Sequence, residues 1–431
     1  MTERERPRVA VIAGAGLSAP AGIPTAGQLT SILESLSSHL DDPWSKRIET
    51  LFHASRLRLA IARDCAPTEI DFEAAVGALS ELASERSRDS SALFALDDPA
   101  IGSARRDGQL QPSMERVFAL IRNQLDAAPV QSAYLDPLIQ CLDEHCSKID
   151  FFTLNYDLMI EHSLDRAHIA YEDGFQRSEV DQLDIWTRQN TTAKWSYHKL
   201  HGSVDWAFYS AGLDNHEGRT PPRLLRLPSW RTARLGMPSD SLNDLTSAMN
   251  LGARKEVLYS AEPYTFMLNR LDESLAAADL VVVIGYSFRD LRINGAIESA
   301  LWKVSGSHLI VINPDMLAYQ LLSIYKLLST QGRLTTVFDS ISSSSCVKSL
   351  DSVLAKSREI KSFPHFVHNE ASIAYGPDDM EDEEDLDDPN VVAENWQAFG
   401  EVIDGLLLLQ ERLWSRSILP KKTVGRLGFG G

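Results

Sequence analysis

The sequence predicts an α/β chain: a doubly wound parallel sheet with a large helical insertion and a short C-terminal helical tail. Three observations carry this expectation. The chain opens on an apolar run that breaks into glycines, VAVIAGAGLSAPAGIP over residues 9–24. Later runs, LVVVIG at 280–285, SHLIVIN at 307–313 and TTVFDSI at 335–341, each lead into a helix-patterned segment. Between these lies a long stretch, 30–145, of helix-like segments separated by polar breaks, with no strand pattern of its own.

Taken in order, Val9–Ala13 reads as a strand buried on both faces, and Gly14-Ala15-Gly16 turns it sharply. QLTSILESLSSHL, DFEAAVGALSELA and SMERVFALIRNQL are helical in period. IDFFTL at 149–154 is the next strong strand, with a helix over 158–164 behind it. HIAYE and WSYHKL read as further strands. The helices after the three later strands are LRINGAIESALW, MLAYQLLSIYKLL and CVKSLDSVLAKSREI. The expected organisation is a nucleotide-binding catalytic domain from 1–29 and 146–365, the helical insertion at 30–145, an acidic linker at 366–390, and a terminal helix and tail at 391–431. In the last piece, Val391–Trp414 is patterned as one amphipathic helix.

Composition narrows the class. Hydrophobic residues make up 44% of the chain and aromatics 8%, as in a soluble globular protein. The opening MTERERPR has charge but no signal-peptide h-region behind it, and no run approaches the ~20 residues of a membrane span, so a cytoplasmic protein is expected. Cys65, Cys141, Cys146 and Cys346 form neither a metal-like nor a disulfide-like spacing. The net charge of −18 is concentrated: nine of the eleven residues from Asp378 to Asp388 are acidic, leaving 51 acids against 42 bases elsewhere. General affinity for nucleic acid is not implied. The one basic cluster, Arg219–Leu235, reads as a solvated loop, with a docking element as the alternative.

The glycine turn satisfies G-x-G-x-x-A through Gly14, Gly16 and Ala19. Such a turn lets backbone approach a pyrophosphate at a helix N-terminus. A hydride-transferring dehydrogenase also needs a second strand after the first helix, tipped by an acid ~20 residues past the glycines. Here Glu34 stands at that distance inside a helical pattern, and the insertion replaces the strand. The context therefore argues against ordinary nicotinamide oxidoreduction.

Polar residues mark the other strand ends. FFTLNYD places Asn155 and Asp157 beyond one strand, and SYHKLHGS places His201 beyond another. VVVIGYSFRD ends in Gly285-Tyr286-Ser287, and LIVINPD adds Asn313. Singly, each has a structural reading: His201 as a satisfied core histidine, Asn155 and Ser287 as helix caps. In a parallel sheet, however, all four sets converge with the Gly14 loop on one crevice.

At these residues the chain resembles the sirtuin family, in the order GAG-x-S with GIP, T-x-N-x-D, HG, G-x-S and a strand-end Asn. The resemblance implies a Rossmann-like site for NAD+. It implies that Gly14, Ala15, Gly16 and Ser18 lie in the loop over the pyrophosphate, and that Ile23 and Pro24 line the nicotinamide pocket. It places Asn155 and Asp157 beside the nicotinamide ribose and carboxamide, makes His201 the catalytic histidine, and sets Gly285, Tyr286, Ser287 and Asn313 at the adenosine half. Protein-deacylating members continue GIP with Asp-Phe-Arg, where this chain has Thr25-Ala26-Gly27. They also carry two Cys-x-x-Cys pairs for zinc, whereas no cysteine occurs here between Cys146 and Cys346. TLNYD, KLHGS and IGYSFRD look instead like the zinc-free sirtuin-like effectors of bacterial anti-phage defence, which cleave NAD+ to nicotinamide and ADP-ribose.

The expected activity is thus NAD+ glycohydrolysis, with NAD+ as substrate and no metal. His201, with an ordinary imidazole pKa near ~6.5, would take a proton from water or a ribose hydroxyl. Asn155 would hold the water or a hydroxyl, and Asp157 would accept from the carboxamide. A zinc-free deacylase or ADP-ribosyltransferase is the alternative, and a non-catalytic nucleotide-binding module the second. Expected partners are further copies of the chain and a separately encoded protein, a HerA-type ATPase ahead of an Argonaute-like one. Neither a membrane nor direct nucleic-acid binding is expected.

Overall fold

The computed structural model describes residues 6–39, 43–83, 98–125, 129–179, 183–188, 192–209, 223–227, 245–251, 262–303, 307–314, 325–330, 333–337 and 344–357, together with 322, 341 and 342. The chain divides into two compact units, 1–374 and 375–431, and every described residue lies in the first. The acidic linker and the Val391–Trp414 helix expected from the sequence lie outside the described residues.

The first strand, β1 (Arg8–Ala13), leads through two short 3-10 turns into α1 (Ala26–Glu34). Helices α2 (Leu36–His39), α3 (Pro43–Arg63), α4 (Phe72–Ala83), α5 (Pro99–Arg106), α6 (Leu110–Leu125) and α7 (Asp136–His145) follow before β2 (Lys148–Thr153). Among the described residues this stretch contains no strand, as its period predicts. Thr25, one of the departures after GIP, closes a capping box on α1: its N–H donates to Gln28 Oε1 at 2.8 Å, and its hydroxyl accepts from the Gln28 N–H. Glu34 pairs with Arg56 of α3, inside the helical layer and away from any strand tip.

After β2 come α8 (Met159–Arg166), β3 (Tyr171–Glu172), β4 (Phe175–Arg177), β5 (Asp184–Trp186) and β6 (Trp195–Lys199). Then follow β7 (Trp206–Tyr209), β8 (Arg223–Arg226), β9 (Leu245–Ser247), α9 (Tyr264–Ala277), β10 (Leu280–Ile284), α10 (Leu291–Lys303), β11 (His308–Ile312), α11 (Tyr325–Thr330), β12 (Leu334–Val337) and α12 (Ser344–Ser357). The main sheet has seven parallel strands in the order β12-β11-β10-β1-β2-β6-β3. The chain winds outward from β1 to one side, then returns to β10 and winds outward to the other. This is the doubly wound, Rossmann-like arrangement, and the reversal puts its crevice at the carboxyl ends of β1, β2 and β10.

Burial on both faces explains the unbroken apolar runs. Val9, Val11 and Ala13 of β1 join one core beneath the helices of the 26–145 region. Ala10 and Ile12 join a second core with Met267, Leu271 and Leu275 of α9 and Ile293, Ile297 and Leu301 of α10. Both faces are therefore sealed, and the polar strand ends are the exception.

Two sequence expectations change. A second, antiparallel sheet, β4-β5-β8-β7-β9, had no counterpart in the sequence reading. Within the Arg219–Leu235 cluster, moreover, residues 223–226 form an inner strand of that sheet, with Leu224 and Leu225 buried. Arg226 there pairs with Asp173 and lies 4.2 Å over the Phe175 ring, so the described part of the cluster is structural rather than a solvated loop. Residues 228–244 are outside the described set. Among the described residues no helix is long and apolar enough to cross a membrane.

Candidate active site

The glycine loop is set by contact between backbones. Gly14 donates to the Ile284 carbonyl and Gly16 to the Gly285 carbonyl, each at 2.9 Å. A Cβ on Gly14 would stand 2.7 Å from Gly285 O, and one on Gly16 2.7 Å from Gly285 Cα. Gly285 itself has φ +59°, and a Cβ there would meet Leu17 N at 2.4 Å. Three glycines from two distant motifs are thus needed at one point where neither chain leaves room for a side chain. Asn313, past β11, holds the same turn by donating from Nδ2 to the Tyr286 carbonyl at 2.8 Å. Tyr286 is buried, Ser287 is exposed at the mouth, and Ala15 is likewise exposed.

Asn155, just beyond β2, reaches across to this loop. Its Nδ2 donates to the Gly14 carbonyl and to Ser18 Oγ, both at 3.0 Å, and both Asn155 and Ser18 are buried. With both amide hydrogens so committed, Asn155 offers a ligand its Oδ1. From the helical side, the Tyr134 phenol donates to the Leu17 carbonyl at 2.5 Å. Burial, and then the Asp157 charge, push that phenol far above its usual range, so it stays a donor. Ile23 is buried in the helical-side core, and Pro24 is half-buried just before the Thr25 cap.

Asp157 is buried two residues on. Its Oδ1 accepts from the Met159 N–H at 3.1 Å at the start of α8, while its carbonyl accepts from the Lys199 ammonium. Lys199, only 1% exposed at the end of β6, also pairs with Glu161 Oε1 at 2.9 Å. Tyr197 donates to the other Glu161 oxygen at 2.9 Å, with its own phenol raised by burial and then by Glu161. Asp205, hydrogen-bonded to Ser203, is pushed up by burial against the opposing pull of Lys199.

His201 sits past β6, 4% exposed, with Nε2 3.2 Å from Asp290 Oδ2. A carboxylate oxygen can only accept, so Nε2 carries a hydrogen, and in the neutral form of the ring the lone pair is on Nδ1. Asp290 is fixed through its other oxygen, which accepts from the N–H groups of Arg292 and Ile293 at 3.0 and 3.3 Å and caps α10. The Asp290 N–H in turn donates to the Tyr286 hydroxyl at 3.1 Å. Gly202 has φ +85°, and a Cβ there would lie 1.9 Å from the Ala248 carbonyl oxygen, so the histidine turn also requires glycine.

The structure therefore joins Gly14, Ser18 and Asn155 by hydrogen bonds, and links Gly16 to Gly285 and Tyr286 to Asn313. It also reveals residues that sequence reasoning missed. Asp290 was visible only as an acid ahead of an amphipathic helix, and Lys199 only as a charge ending an apolar strand. Tyr134 gave no signal. Elsewhere, Cys141, His145 and Asp351 gather ligand atoms within 4.8 Å of one another on α7 and α12, with His145 Nε2 already 2.5 Å from Asp351 Oδ1.

Residues 150–327 match the family model described as a SIR2-like domain. That span holds Asn155, Asp157, His201, Gly285, Asp290 and Asn313, whereas the Gly14 loop precedes it. No curated protein matches the chain. Among solved structures, the chain is similar to a Sir2 homolog–NAD complex at 14% identity and TM-score 0.39, covering 83% of this chain and 95% of that one. It is also similar to a Sir2 bound to the inhibitor EX-527, 2′-O-acetyl-ADP-ribose and a deacetylated p53 peptide, at 11% identity and TM-score 0.36, covering 81% and 95%. Likenesses of this size carry no argument, and the SIR2-like family match is confined to residues 150–327, less than half of the chain.

Proposed function

We propose that this chain is an NAD+ hydrolase, splitting the nicotinamide–ribose bond to release nicotinamide and ADP-ribose. One observation carries the reading: Asn155 is bonded into the glycine loop while His201 is oriented by Asp290 at the neighbouring strand end. In this reading the glycine loop is a phosphate cradle and the oriented histidine a proton acceptor at the same strand ends, a combination that binding alone would not require.

In this reading the Gly14–Ser18 loop takes the pyrophosphate, and Gly285, Tyr286, Ser287 and Asn313 shape the adenosine side. Asn155 Oδ1 accepts from a ribose hydroxyl or the attacking water. Asp157 accepts from the carboxamide, and Ile23 and Pro24 border the ring. Nδ1 of His201 accepts the proton. No step is routed through a metal.

Incubation with NAD+, resolved by chromatography, tests the reading. Free ADP-ribose should appear without any acceptor, and His201→Ala should lower turnover about 10²–10⁴-fold while the protein stays folded. Consumption only with an acylated peptide would make the chain a deacylase, and no turnover at all would make it a binding module. The physiological role we propose is defence against phage, with the hydrolase restrained by self-assembly or by a separately encoded partner, a HerA-type ATPase ahead of an Argonaute-like protein. Light scattering, with NAD+ assays in the presence and absence of such a partner, tests it; a fully active monomer indifferent to both would refute it.

A further inference from the structure

After β9 the chain runs from Ala248 to Leu251 directly over the histidine turn. The Ala248 carbonyl, which accepts from the Tyr264 hydroxyl at 2.5 Å, occupies the space beside Gly202 that a side chain would need. Two residues on, the Asn250 N–H donates to the His201 carbonyl at 2.8 Å, and its own carbonyl accepts from the Tyr156 hydroxyl at 2.9 Å. Tyr156 stands between Asn155 and Asp157, and its carbonyl accepts from the Val204 N–H at 2.9 Å. Asn250 is therefore clasped between the two motifs that carry the proposed chemistry.

Its side chain is anomalous. Asn250 is 0% exposed, and neither Oδ1 nor Nδ2 has a hydrogen-bond partner among the described residues. Its neighbours Met249 and Leu251 are ordinary core residues. Packing alone would favour an aliphatic residue here, since a buried carboxamide without partners is destabilising. Such a group calls for a ligand or an ordered water that completes it.

We propose that the Asn250 carboxamide is a catalytic group that holds the acceptor water beside His201. The inference rests on the hydrolase reading and names how its nucleophile is placed. In the step, the C1′–N1 bond breaks and its electron pair passes to N1, leaving neutral nicotinamide. The water oxygen forms the new bond to C1′, and its proton goes to His201 Nδ1 and then to solvent. The balance is NAD+ plus water to nicotinamide, ADP-ribose and one proton. Asn250 Oδ1 accepts one water O–H, and Nδ2 can donate to a ribose oxygen.

The experiment compares wild type with Asn250→Ala and Asn250→Leu in water–methanol mixtures, reading kcat, the ratio of methyl-ADP-ribose to ADP-ribose, ADP-ribose Kd and Tm. We expect kcat to fall about 10–100-fold in both variants, the methanol share to rise in Asn250→Ala, and Kd to stay within about twofold. Tm of Asn250→Leu should hold or rise, because an orphaned polar group has been replaced by apolar packing. Wild-type kcat and partition in Asn250→Ala, or a Tm loss with turnover intact in Asn250→Leu, overturns the proposal. Should neither variant fold, the isosteric Asn250→Asp decides: a carboxylate beside His201 should add an ionisation to the pH profile of kcat, and an unchanged profile overturns the idea. Wild type that cleaves no NAD+ would instead refute the hydrolase reading itself.

Discussion

On one side of the crevice Gly14, Gly16 and Gly285 press backbone against backbone, with would-be Cβ contacts of 2.4–2.7 Å. On the other, around Asp157 and His201, the packing is done by charged and polar side chains: Lys199 with Glu161, Tyr197 with Glu161, and His201 with Asp290. The first side holds its shape by excluding atoms, so any added volume is destructive whatever its chemistry. The second holds its shape by mutual satisfaction of buried polar groups, so its members tolerate a change of size better than the loss of a partner.

That contrast can be broken at four places. The largest effect belongs to Lys199→Met, which keeps the volume but removes the cation from Glu161 Oε1 and the donor from the Asp157 carbonyl. Removing one member of a buried pair costs about 3–5 kcal/mol, to be read from urea unfolding. If Lys199→Met is as stable as wild type, the polar side is not held by its charges. Next comes Gly285→Ala, whose left-handed φ and clash with Leu17 should cost roughly 3 kcal/mol and weaken ADP-ribose binding together. Binding that survives unchanged in calorimetry would show the glycine side to be pliable.

A smaller effect is expected of Asp290→Asn. The helix cap can survive through the side-chain oxygen, but the carboxylate that fixes the His201 tautomer is gone. Turnover should drop about 10–100-fold with little change in Tm. Equal kinetics would remove Asp290 from the mechanism.

The smallest concerns His198, the neighbour of Lys199 on β6 but pointed to the opposite face, stacked on Phe152 at 5.2 Å. Burial lowers its pKa to about 4, and its Nε2 lacks a partner among the described residues. Its unfolded form protonates near ~6.5, so as pH falls through that value the unfolded state gains the proton first. Stability is thus complete above ~6.5, falls as pH drops toward about 4, and levels off below it. Between pH 7.5 and 5.5 the loss from this residue should be about 1 kcal/mol, and His198→Phe should abolish it. His308, also lowered to about 4 by burial and then Arg333, adds a parallel loss that the His198→Phe variant would keep. A variant with an unaltered acid limb would show that His198 is not its source.

Much of the sheet was legible because buried parallel strands write long apolar runs, and Glu34 could be assigned to a helix by period alone. The small antiparallel sheet was not, because its strands are only three or four residues long, too short for a period to register. Its arginines looked like solvent residues because their partners, such as Asp173 for Arg226, lie far away in sequence. The same distance hid Asp290, 89 residues from His201. Residue type announced the histidine and asparagine at the strand ends, but only the fold could say which carboxylate faces the imidazole.

Asn155 has a consequence for kinetics. Asn155 Nδ2 ties down the Gly14–Ser18 loop, and under the proposed hydrolase reading the same side chain presents its oxygen to the reacting sugar. Substrate capture and bond cleavage therefore have a common hinge pin. A slack loop and a misaimed reaction centre become the same event, and damage at residue 155 should appear in KM and kcat in concert, with no condition under which one recovers alone.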